Sequence, residues 1–283
     1  DYVATGHYCR KTVSTLPDGT ERYHLLAGSD PNKDQSYFLC QLNQEQLRYA
    51  LFPIGHLLKP EVRRIAQEQG LATAKRKDSQ GICFVGKVDL PTFLQQKLAK
   101  KVGNIHEIKA EWPKFSLRPT RDSHAPEPSQ EELEALAKGW HYTVRDGKKI
   151  GTHNGAHFYT IGQRKGLGIG GRKESLFILA TDVQENVIYV GEGDSHPGLW
   201  RPALKIERDA MHWVNPDCTC AVGETLRCRV RIRYRQPLQT ATLYSHEGGC
   251  YILFDEAQRG IAAGQFAALY EGEELIGSGV ICE

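Results

Sequence analysis

The sequence predicts an α/β region followed by strand-rich regions that fold as small β-barrels. Two patterns carry this prediction: strand and helix signals alternate over residues 1–96, whereas residues 142–283 contain short apolar runs separated by glycine turns. The length of 283 residues favours two or three domains, and 40% hydrophobic with 25% charged residues is typical of a soluble globular chain. No apolar run approaches the roughly 18 residues of a membrane span, so we expect no membrane partner.

The α/β region has local signals for each of its elements. Residues 1–4 are typical of a buried strand that runs into a loop, and residues 7–26 predict a hairpin around the turn Pro17-Asp18-Gly19. Because the chain opens inside a strand, we expect a substantial N-terminal piece to precede it. Helices are predicted to begin at the capping-box pattern Asn43-x-x-Gln46, at Lys59 beside Pro60, and at Asp89.

The stretch from residue 104 to 141 differs in composition from its surroundings. It contains Trp112, Pro113, Pro119, Pro126 and Pro128. An acidic run over 127–134 predicts one short helix. We interpret the stretch as an insertion or elaborated linker, and a surface elaboration is favoured over a binding loop because loops tolerate insertion.

The strand-rich region is divided by turn signals. Strands are predicted over 177–179, 187–190, 251–254 and 266–270. The turns between strands are predicted at Asp146-Gly147, Glu192-Gly193, Gly248-Gly249 and Glu271-Gly272.

Arginine alternates with apolar residues over 226–235, which is the clearest functional pattern. In a strand, this alternation places Arg227, Arg229, Arg231, Arg233 and Arg235 on one face, about 7 Å apart. That spacing suits successive phosphates of one nucleic-acid strand. We favour nucleic-acid contact over a solvated outer face. Because the net charge is only +2, such affinity has to come from local clusters.

A second basic segment, residues 162–173, is rich in glycine and includes Arg164 and Lys165. Glycines allow backbone N–H groups to approach an anion closely. The segment does not match the G-x-x-x-x-G-K-[ST] phosphate loop, so it predicts no nucleotide pocket. Contact with a phosphate backbone and a plain flexible loop both stay open.

Cys83 follows a basic run, Lys75-Arg76-Lys77, and a glycine turn. Neighbouring positive charge lowers the pKa of a thiol and favours the thiolate that a nucleophile or persulfide carrier needs. The residues alone favour the alternative, a buried strand cysteine. The other seven cysteines form no C-x-x-C pair, and we interpret them as core residues of a cytoplasmic protein without a metal site.

Six segments in order resemble one family, the tRNA-specific 2-thiouridylases, which thiolate the wobble uridine of tRNA. They span nearly the whole chain and leave only about residues 106–142 without a counterpart. The segments are residues 1–8 (DYVATGHY), 33–39 (KDQSYFL), 78–84 (DSQGICF), 162–171 (GQRKGLGIGG), 233–236 (RYRQ) and Gly264-Gln265.

The resemblance implies three domains. Residues 1–96 correspond to the C-terminal part of an α/β ATP-pyrophosphatase (adenine nucleotide alpha hydrolase-like) domain. Residues 97–200 correspond to a small central β-rich domain with the insertion, and residues 201–283 to a C-terminal tRNA-binding β-barrel.

The resemblance also implies a two-stage reaction. ATP, with Mg²⁺, adenylates the C2 oxygen of the uridine, and a persulfide on Cys83 then delivers sulfur to C2 as AMP departs. The implied partners are tRNAs of the Lys, Glu and Gln type and a sulfur-donor protein such as a cysteine desulfurase or sulfur carrier. A disulfide bond also belongs to the family's chemistry.

Site residues are carried over by position in each motif. Gly6 matches a position near the bound ATP. The matches to tRNA contacts are His7, Lys33, Asp34, Gln35, Arg233, Tyr234 and Gln265. Further candidates from the basic segments are Arg164, Lys165, Arg227, Arg229, Arg231 and Arg235.

Two parts of the family pattern are expected to be missing. We expect the chain to lack the Ser-Gly-Gly-x-Asp-Ser pyrophosphate loop and the Asn-Pro-Asp-x-x-Cys segment that holds the first catalytic cysteine, and Cys9 is not that cysteine. The chain alone is then expected to be unable to activate uridine. One alternative is a non-catalytic RNA-binding module. Another is a thiol-redox or metal protein built on the cysteines between 218 and 250.

Overall fold

The structure, a computed structural model, describes residues 1–75, 100–121 and 125–282. Cys83 and the helix predicted from Asp89 lie outside these residues. No helix within the described ranges has the length and apolar character needed to cross a membrane.

The described residues form two compact units. The first combines residues 1–75 with 204–256 and 263–282. The second contains the described residues between 100 and 203 together with Ala257–Ala262.

The amino-terminal part of the first unit contains a parallel strand pair, a hairpin and two helices. The predicted hairpin is confirmed, with Thr15 opposite Glu21, and the predicted capping box of Asn43 and Gln46 begins the first helix. The first strand is exposed, with Val3 at 68%, so the expectation of a buried strand at the start of the chain is wrong. The elements are β1 (Val3–Ala4), β2 (Cys9–Thr15), β3 (Glu21–Ala27), α1 (Gln44–Tyr49), β4 (Ala50–Leu51) and α2 (Lys59–Glu68).

The carboxy-terminal part of the first unit is built on a closed six-stranded barrel. Its strands are β9 (Trp200–Trp213), β10 (Thr225–Arg231), β11 (Gln239–His246), β12 (Gly249–Arg259), β13 (Phe266–Glu271) and β14 (Glu274–Cys282). The order is β13-β10-β11-β12-β9-β14, and pairing of β13 with β14 closes the barrel. The β2–β3 hairpin extends this sheet, because Leu26 pairs with Glu274 of β14.

The core of the first unit lies where the amino-terminal part packs against β13. Every residue from 267 to 270 is fully buried. Ala268 and Tyr270 pack against Leu25 and Leu47 of the amino-terminal part, whereas the alternate residues of β13 point to the opposite face, toward the barrel interior. This packing covers part of the outer surface of the barrel next to β10.

The second unit is built on a four-stranded sheet. The predicted strands at 177–179 and 187–190 are confirmed, and apolar clusters cover both faces, since the successive residues Ile178 and Leu179 belong to different clusters. The sheet order is β6-β5-β8-β7, with β5 and β8 parallel. The elements are β5 (Gly103–Glu107), α3 (Gln130–Ala137), β6 (Lys148–His153), β7 (Leu176–Asp182) and β8 (Val187–Glu192).

The interpretation of residues 104–141 as a surface elaboration is wrong for the described part. β5 is an inner strand of the sheet, and Ile108 after it is fully buried. Trp112 packs on Tyr142 with ring centroids 4.9 Å apart and joins the core of the unit. The predicted short helix is present as α3, which buries Leu133. Prolines interrupt the secondary structure here, but aromatic side chains supply the packing.

His196 makes the second unit sensitive to acid. Its ring is 2% exposed; Nδ1 accepts from Gly198 N (3.1 Å), and Nε2 donates to the carbonyl oxygen of Ile108 (3.1 Å). Burial lowers the pKa of His196, although Glu107 and Glu111 oppose the shift. The unfolded chain therefore binds the proton more readily than the folded one.

We expect the free energy of unfolding of this unit to be undiminished above pH 6.5, the ordinary histidine value, and to fall as the pH drops below it. Urea unfolding at a series of values between about pH 5 and 8 measures this. His196→Asn should flatten the acid limb, and the exposed His141→Asn is the control. An unchanged slope in His196→Asn contradicts the assignment.

Candidate nucleic-acid interface

Gly6 and His7 lie in the loop that follows β1, at the carboxyl end of a parallel strand pair. Thr5 N donates to the carbonyl oxygen of Leu51 (3.0 Å), which fixes the loop on β4. His7 Nδ1 lies 2.7 Å from Thr5 Oγ1, and partial burial lowers the pKa of His7, which favours a neutral ring near pH 7. Ligands of α/β proteins commonly bind at this end of parallel strands.

Gln35 fastens a second segment to that loop. Its backbone N donates to the carbonyl oxygen of Tyr8 (2.9 Å), and its Oε1 accepts from Tyr8 N (3.0 Å). Lys33 N donates to the carbonyl oxygen of Asp30 (2.9 Å). These bonds place residues 33–39, hereafter the 33–39 segment, directly beside His7.

Asp34 is the buried centre of the 33–39 segment. Its Oδ1 accepts from Gly28 N (3.1 Å), Ser36 N (3.0 Å) and Ser36 Oγ (2.7 Å). Its Oδ2 lies 2.9 Å from Arg231 Nη1 at the end of β10, and the two side chains are 5% and 10% exposed. The carboxylate is thus fully used within the protein, and its predicted contact with tRNA stays a prediction.

The loop after β10, residues 232–236, carries two further predicted contacts, Arg233 and Tyr234. Ile232 N donates to Gln236 Oε1 (3.0 Å), and Gln236 N donates to the carbonyl oxygen of Arg233 (3.1 Å). Arg235 has a φ of 67°, in the left-handed region that residues other than glycine seldom adopt. The loop is therefore tightly turned, which we call the 232–236 loop.

The 33–39 segment and the 232–236 loop are joined directly. Tyr37 donates its hydroxyl hydrogen to a carbonyl oxygen, with Ile232 O at 3.2 Å and Phe266 O at 3.0 Å. The rings of Phe38 and Tyr234 have centroids 4.5 Å apart. Residues that are about 200 positions apart in sequence thus form one surface.

Gln265 precedes Phe266, so it lies at the edge of this surface. Its carbonyl oxygen accepts from Ile281 N (2.8 Å). Its Oε1 is buried without a hydrogen-bond partner among the residues that the structure describes. All seven tRNA contacts implied by the resemblance therefore belong to the first unit.

The predicted row of five arginines on one strand is wrong in its extent. β10 ends at Arg231, so Arg233 and Arg235 lie in the 232–236 loop and not on the strand. Arg231 is on the predicted face, but that face is covered by the amino-terminal part of the unit, and Asp34 neutralises its charge. Sequence alternation alone could not reveal that cover.

The two arginines that stay exposed on β10 are also engaged within the protein. Arg227 donates to Asp255 Oδ1 (2.7 Å), and Arg229 donates to the carbonyl oxygen of Gly272. The alternation of arginine with buried residues is confirmed over 227–230. Nucleic-acid contact by these side chains stays a prediction.

Arg164 and Lys165 belong to the second unit. Both are exposed, in a loop that is anchored to β7, because Gly162 N donates to Ile178 O (2.7 Å) and Ile178 N to Gln163 O (3.0 Å). Gly166 and Gly168 have positive φ, a backbone conformation that glycine adopts without steric cost. Contact of this loop with a phosphate backbone stays a prediction.

The predicted persulfide carrier, Cys83, lies outside the described residues. The seven described cysteines are free. Burial raises the pKa of each, for example to about 12 at Cys228 and about 11 at Cys218. No group of three or more potential metal ligands occurs among the described residues. The alternative of a metal site between Cys218 and Cys250 therefore has no support from the described part of the chain.

The letters Asn-Pro-Asp-x-x-Cys occur at residues 215–220. The expected lack of the family segment that holds the first catalytic cysteine stays a prediction. The pattern lies in the barrel unit, where Asn215 caps a short 3₁₀ turn and Asp217 forms two hydrogen bonds of 2.8 Å with Arg22. Cys220 is buried, and burial raises its pKa. These contacts explain the residues as a structural turn that ties the barrel to the β2–β3 hairpin.

The residues that hold the site together were not among the predicted site residues. Ser36, Tyr37 and Phe38 lie within a matched motif, but the resemblance assigns them no role. The signal was present, since two adjacent aromatic residues follow the three polar predicted contacts after a single serine.

Three family descriptions match successive parts of the chain. "tRNA methyl transferase HUP domain" matches residues 1–87, "tRNA methyl transferase PRC-barrel domain" matches 130–192, and "Aminomethyltransferase beta-barrel domain" matches 204–281. They confirm the predicted fold class. The chain is thus of a class that combines an α/β HUP domain, a central PRC-barrel and a carboxy-terminal β-barrel.

Relatives that align with nearly the whole chain carry the name tRNA-specific 2-thiouridylase MnmA. Those from Christiangramia forsetii and Flavobacterium johnsoniae are 54% and 52% identical, and each alignment covers 99% of this chain and 70% of the relative. The relative from Karelsulcia muelleri is 43% identical with the same coverage. The chain belongs to the tRNA-specific 2-thiouridylase MnmA family, which confirms the resemblance.

Proposed function

We propose that this protein is a tRNA 2-thiouridylase. The observation that supports this most is that the segments of His7, Gln35, Arg233 and Tyr234 are joined directly, by the hydrogen bond between Tyr8 and Gln35 and by the contact between Phe38 and Tyr234. These segments come from three separate motifs of the family. Their side chains offer imidazole, amide, guanidinium and aromatic groups, which suit RNA phosphates and unstacked bases.

The proposed chemistry has two stages. ATP adenylates the C2 oxygen of a wobble uridine and releases pyrophosphate, so that this oxygen later leaves with AMP. The terminal sulfur of a Cys83 persulfide attacks C2, and the S–S bond breaks when a second thiol attacks Cys83, which leaves a disulfide. The wobble base has to leave its stack to reach a thiol.

The resemblance assigns one ATP contact to this chain, Gly6. It is exposed after β1, and the nearest atom to a Cβ built there is Ile54 Cδ1 at 3.9 Å, so the backbone is open to a ligand. The described residues contain no Ser-Gly-Gly-x-Asp-Ser loop. We assign no phosphate or Mg²⁺ contact in this chain.

The domain roles follow from the same proposal. Residues 1–96 contribute to the ATP-pyrophosphatase domain. Residues 97–200 form the central domain with the basic glycine loop, and residues 201–283 form a barrel that binds tRNA. The substrates are tRNAs of the Lys, Glu and Gln type, and a cytoplasmic cysteine desulfurase or sulfur carrier supplies the sulfur.

Persulfide mapping tests the proposal. The protein is incubated with tRNA, a cysteine desulfurase and cysteine, and the mass of one extra sulfur is located on its peptides. We expect it on Cys83, because burial raises the pKa of the seven described thiols and keeps them protonated. Cys83→Ser should remove the label, and Cys218→Ser, at a partly exposed thiol, should keep it. Tight tRNA binding with an unlabelled Cys83 favours the non-catalytic RNA-binding module instead.

A further inference from the structure

Phe38 is an exposed aromatic residue on a firmly held segment. Its side chain is 54% exposed, yet its neighbours are fixed. Ser36 Oγ lies 3.0 Å from the hydroxyl of Tyr270 in the core, and the Tyr37 hydroxyl bonds to carbonyl oxygens of the barrel. The exposure of Phe38 is therefore a property of an ordered surface.

Single exposed apolar residues are common and usually need no explanation. Phe38 differs because its ring contacts a second aromatic ring, that of Tyr234, at 4.5 Å and 40° between planes. The guanidinium carbon of Arg235 lies 5.3 Å from the centroid of the Tyr234 ring. The nearest carboxylate of the segment, Asp34, is buried and neutralised by Arg231.

An exposed aromatic ring that contacts a tyrosine with a guanidinium group against it suits a flat, apolar group that is attached to an anionic backbone. A protein partner would require a larger apolar patch, whereas one ring suffices to stack one base. Aromatic stacking is the usual way to hold single-stranded RNA bases, and arginine next to it binds phosphate.

We propose that Phe38 stacks an unpaired nucleobase of the bound tRNA, and that Arg235 beside Tyr234 contacts the phosphate backbone of the same strand. The proposal rests on the proposed function and adds a base-binding subsite to it. Phe38 is then a binding residue that the sequence motifs left without a role.

The test compares tRNA affinities of Phe38→Ala, Phe38→Leu and Phe38→Tyr at fixed salt, with an unmodified transcript that has a wobble uridine. We expect Phe38→Ala and Phe38→Leu to weaken binding about 10-fold or more, and Phe38→Tyr to retain it, because stacking requires the ring. The salt dependence should not change in Phe38→Ala, whereas Arg235→Ala should reduce its slope by about 1.

A second exposed aromatic pair provides the matched control. Tyr49 packs on Tyr2 at 6.2 Å and has Arg48 over its ring at 5.6 Å, but it belongs to none of the matched motifs. Tyr49→Ala should bind tRNA like the wild type. An equal loss in Tyr49→Ala, or affinity in Phe38→Ala equal to that of the wild type, overturns the proposal.

Abasic transcripts identify the base and separate this proposal from the proposed function. At one unpaired position, removing the base should weaken wild-type binding but not Phe38→Ala binding. If no position behaves so while the wild type still binds and thiolates tRNA, the subsite is wrong and the function stands. If the wild type binds no tRNA, the proposed function itself fails.

Discussion

Asp34→Ala is expected to lower the free energy of unfolding of the first unit by about 3–5 kcal/mol, because it leaves the Arg231 guanidinium buried without its counter-charge. It also removes the acceptor of Gly28 N and of the Ser36 N–H and hydroxyl groups. Asp34→Asn should cost less, since an amide oxygen can still accept these bonds. Urea unfolding with hydrogen exchange of the β10 peptides measures both variants.

Two comparisons decide whether the ion pair is responsible. In a double-mutant cycle, Arg231→Met should recover part of the loss in Asp34→Ala, because the unpaired buried charge is then gone. Glu68→Ala breaks an exposed pair with Arg64 at 2.7 Å in α2 and should cost only about 0.5 kcal/mol. Additive effects of the Asp34 and Arg231 substitutions contradict the predicted coupling.

The elements predicted correctly are those whose signals are local. The hairpin of β2 and β3 is determined by the turn Pro17-Asp18-Gly19 and its flanking strands, and α1 by the capping box at Asn43. The errors concern burial. Residues 104–121 appear loop-like in sequence, yet Trp112 lies in the core, because contacts with Tyr142 and with strands of the sheet decide its environment.

At the candidate site too, local motifs could be predicted, whereas contacts between distant residues could not. Motif resemblance indicated His7, Gln35, Arg233 and Tyr234, and the structure joins their segments through Gln35 and Tyr37. Neutralisation of the arginine row by carboxylates could not be predicted, because the acidic partners are distant in sequence. Asp34 is 197 residues from Arg231, and Asp255 is 28 residues from Arg227.

The other large effect is expected from a glycine behind this surface. A Cβ built at Gly55 would lie 1.6 Å from the carbonyl oxygen of Cys9, and backbone atoms cannot move aside as a flexible side chain can. Gly55 also accepts a hydrogen bond from Ser29 N (2.9 Å), so it joins the start of β2 to the loop before the 33–39 segment. Any movement of the Cys9 backbone shifts Tyr8, which pairs with Gln35.

Gly55→Ala should therefore cost about 3 kcal/mol or more in the free energy of unfolding, at the upper end of overpacking effects, and weaken tRNA binding under conditions in which the protein stays folded. Gly170→Ala is the matched control: Gly170 is exposed, and a Cβ there would meet nothing within 4 Å. That variant should be neutral or up to about 1 kcal/mol more stable, because alanine restricts the unfolded chain. If Gly55→Ala is as stable as Gly170→Ala, the loop behind His7 accommodates a Cβ at residue 55. The close approach of the Gly55 and Cys9 backbones is then not what positions the interface.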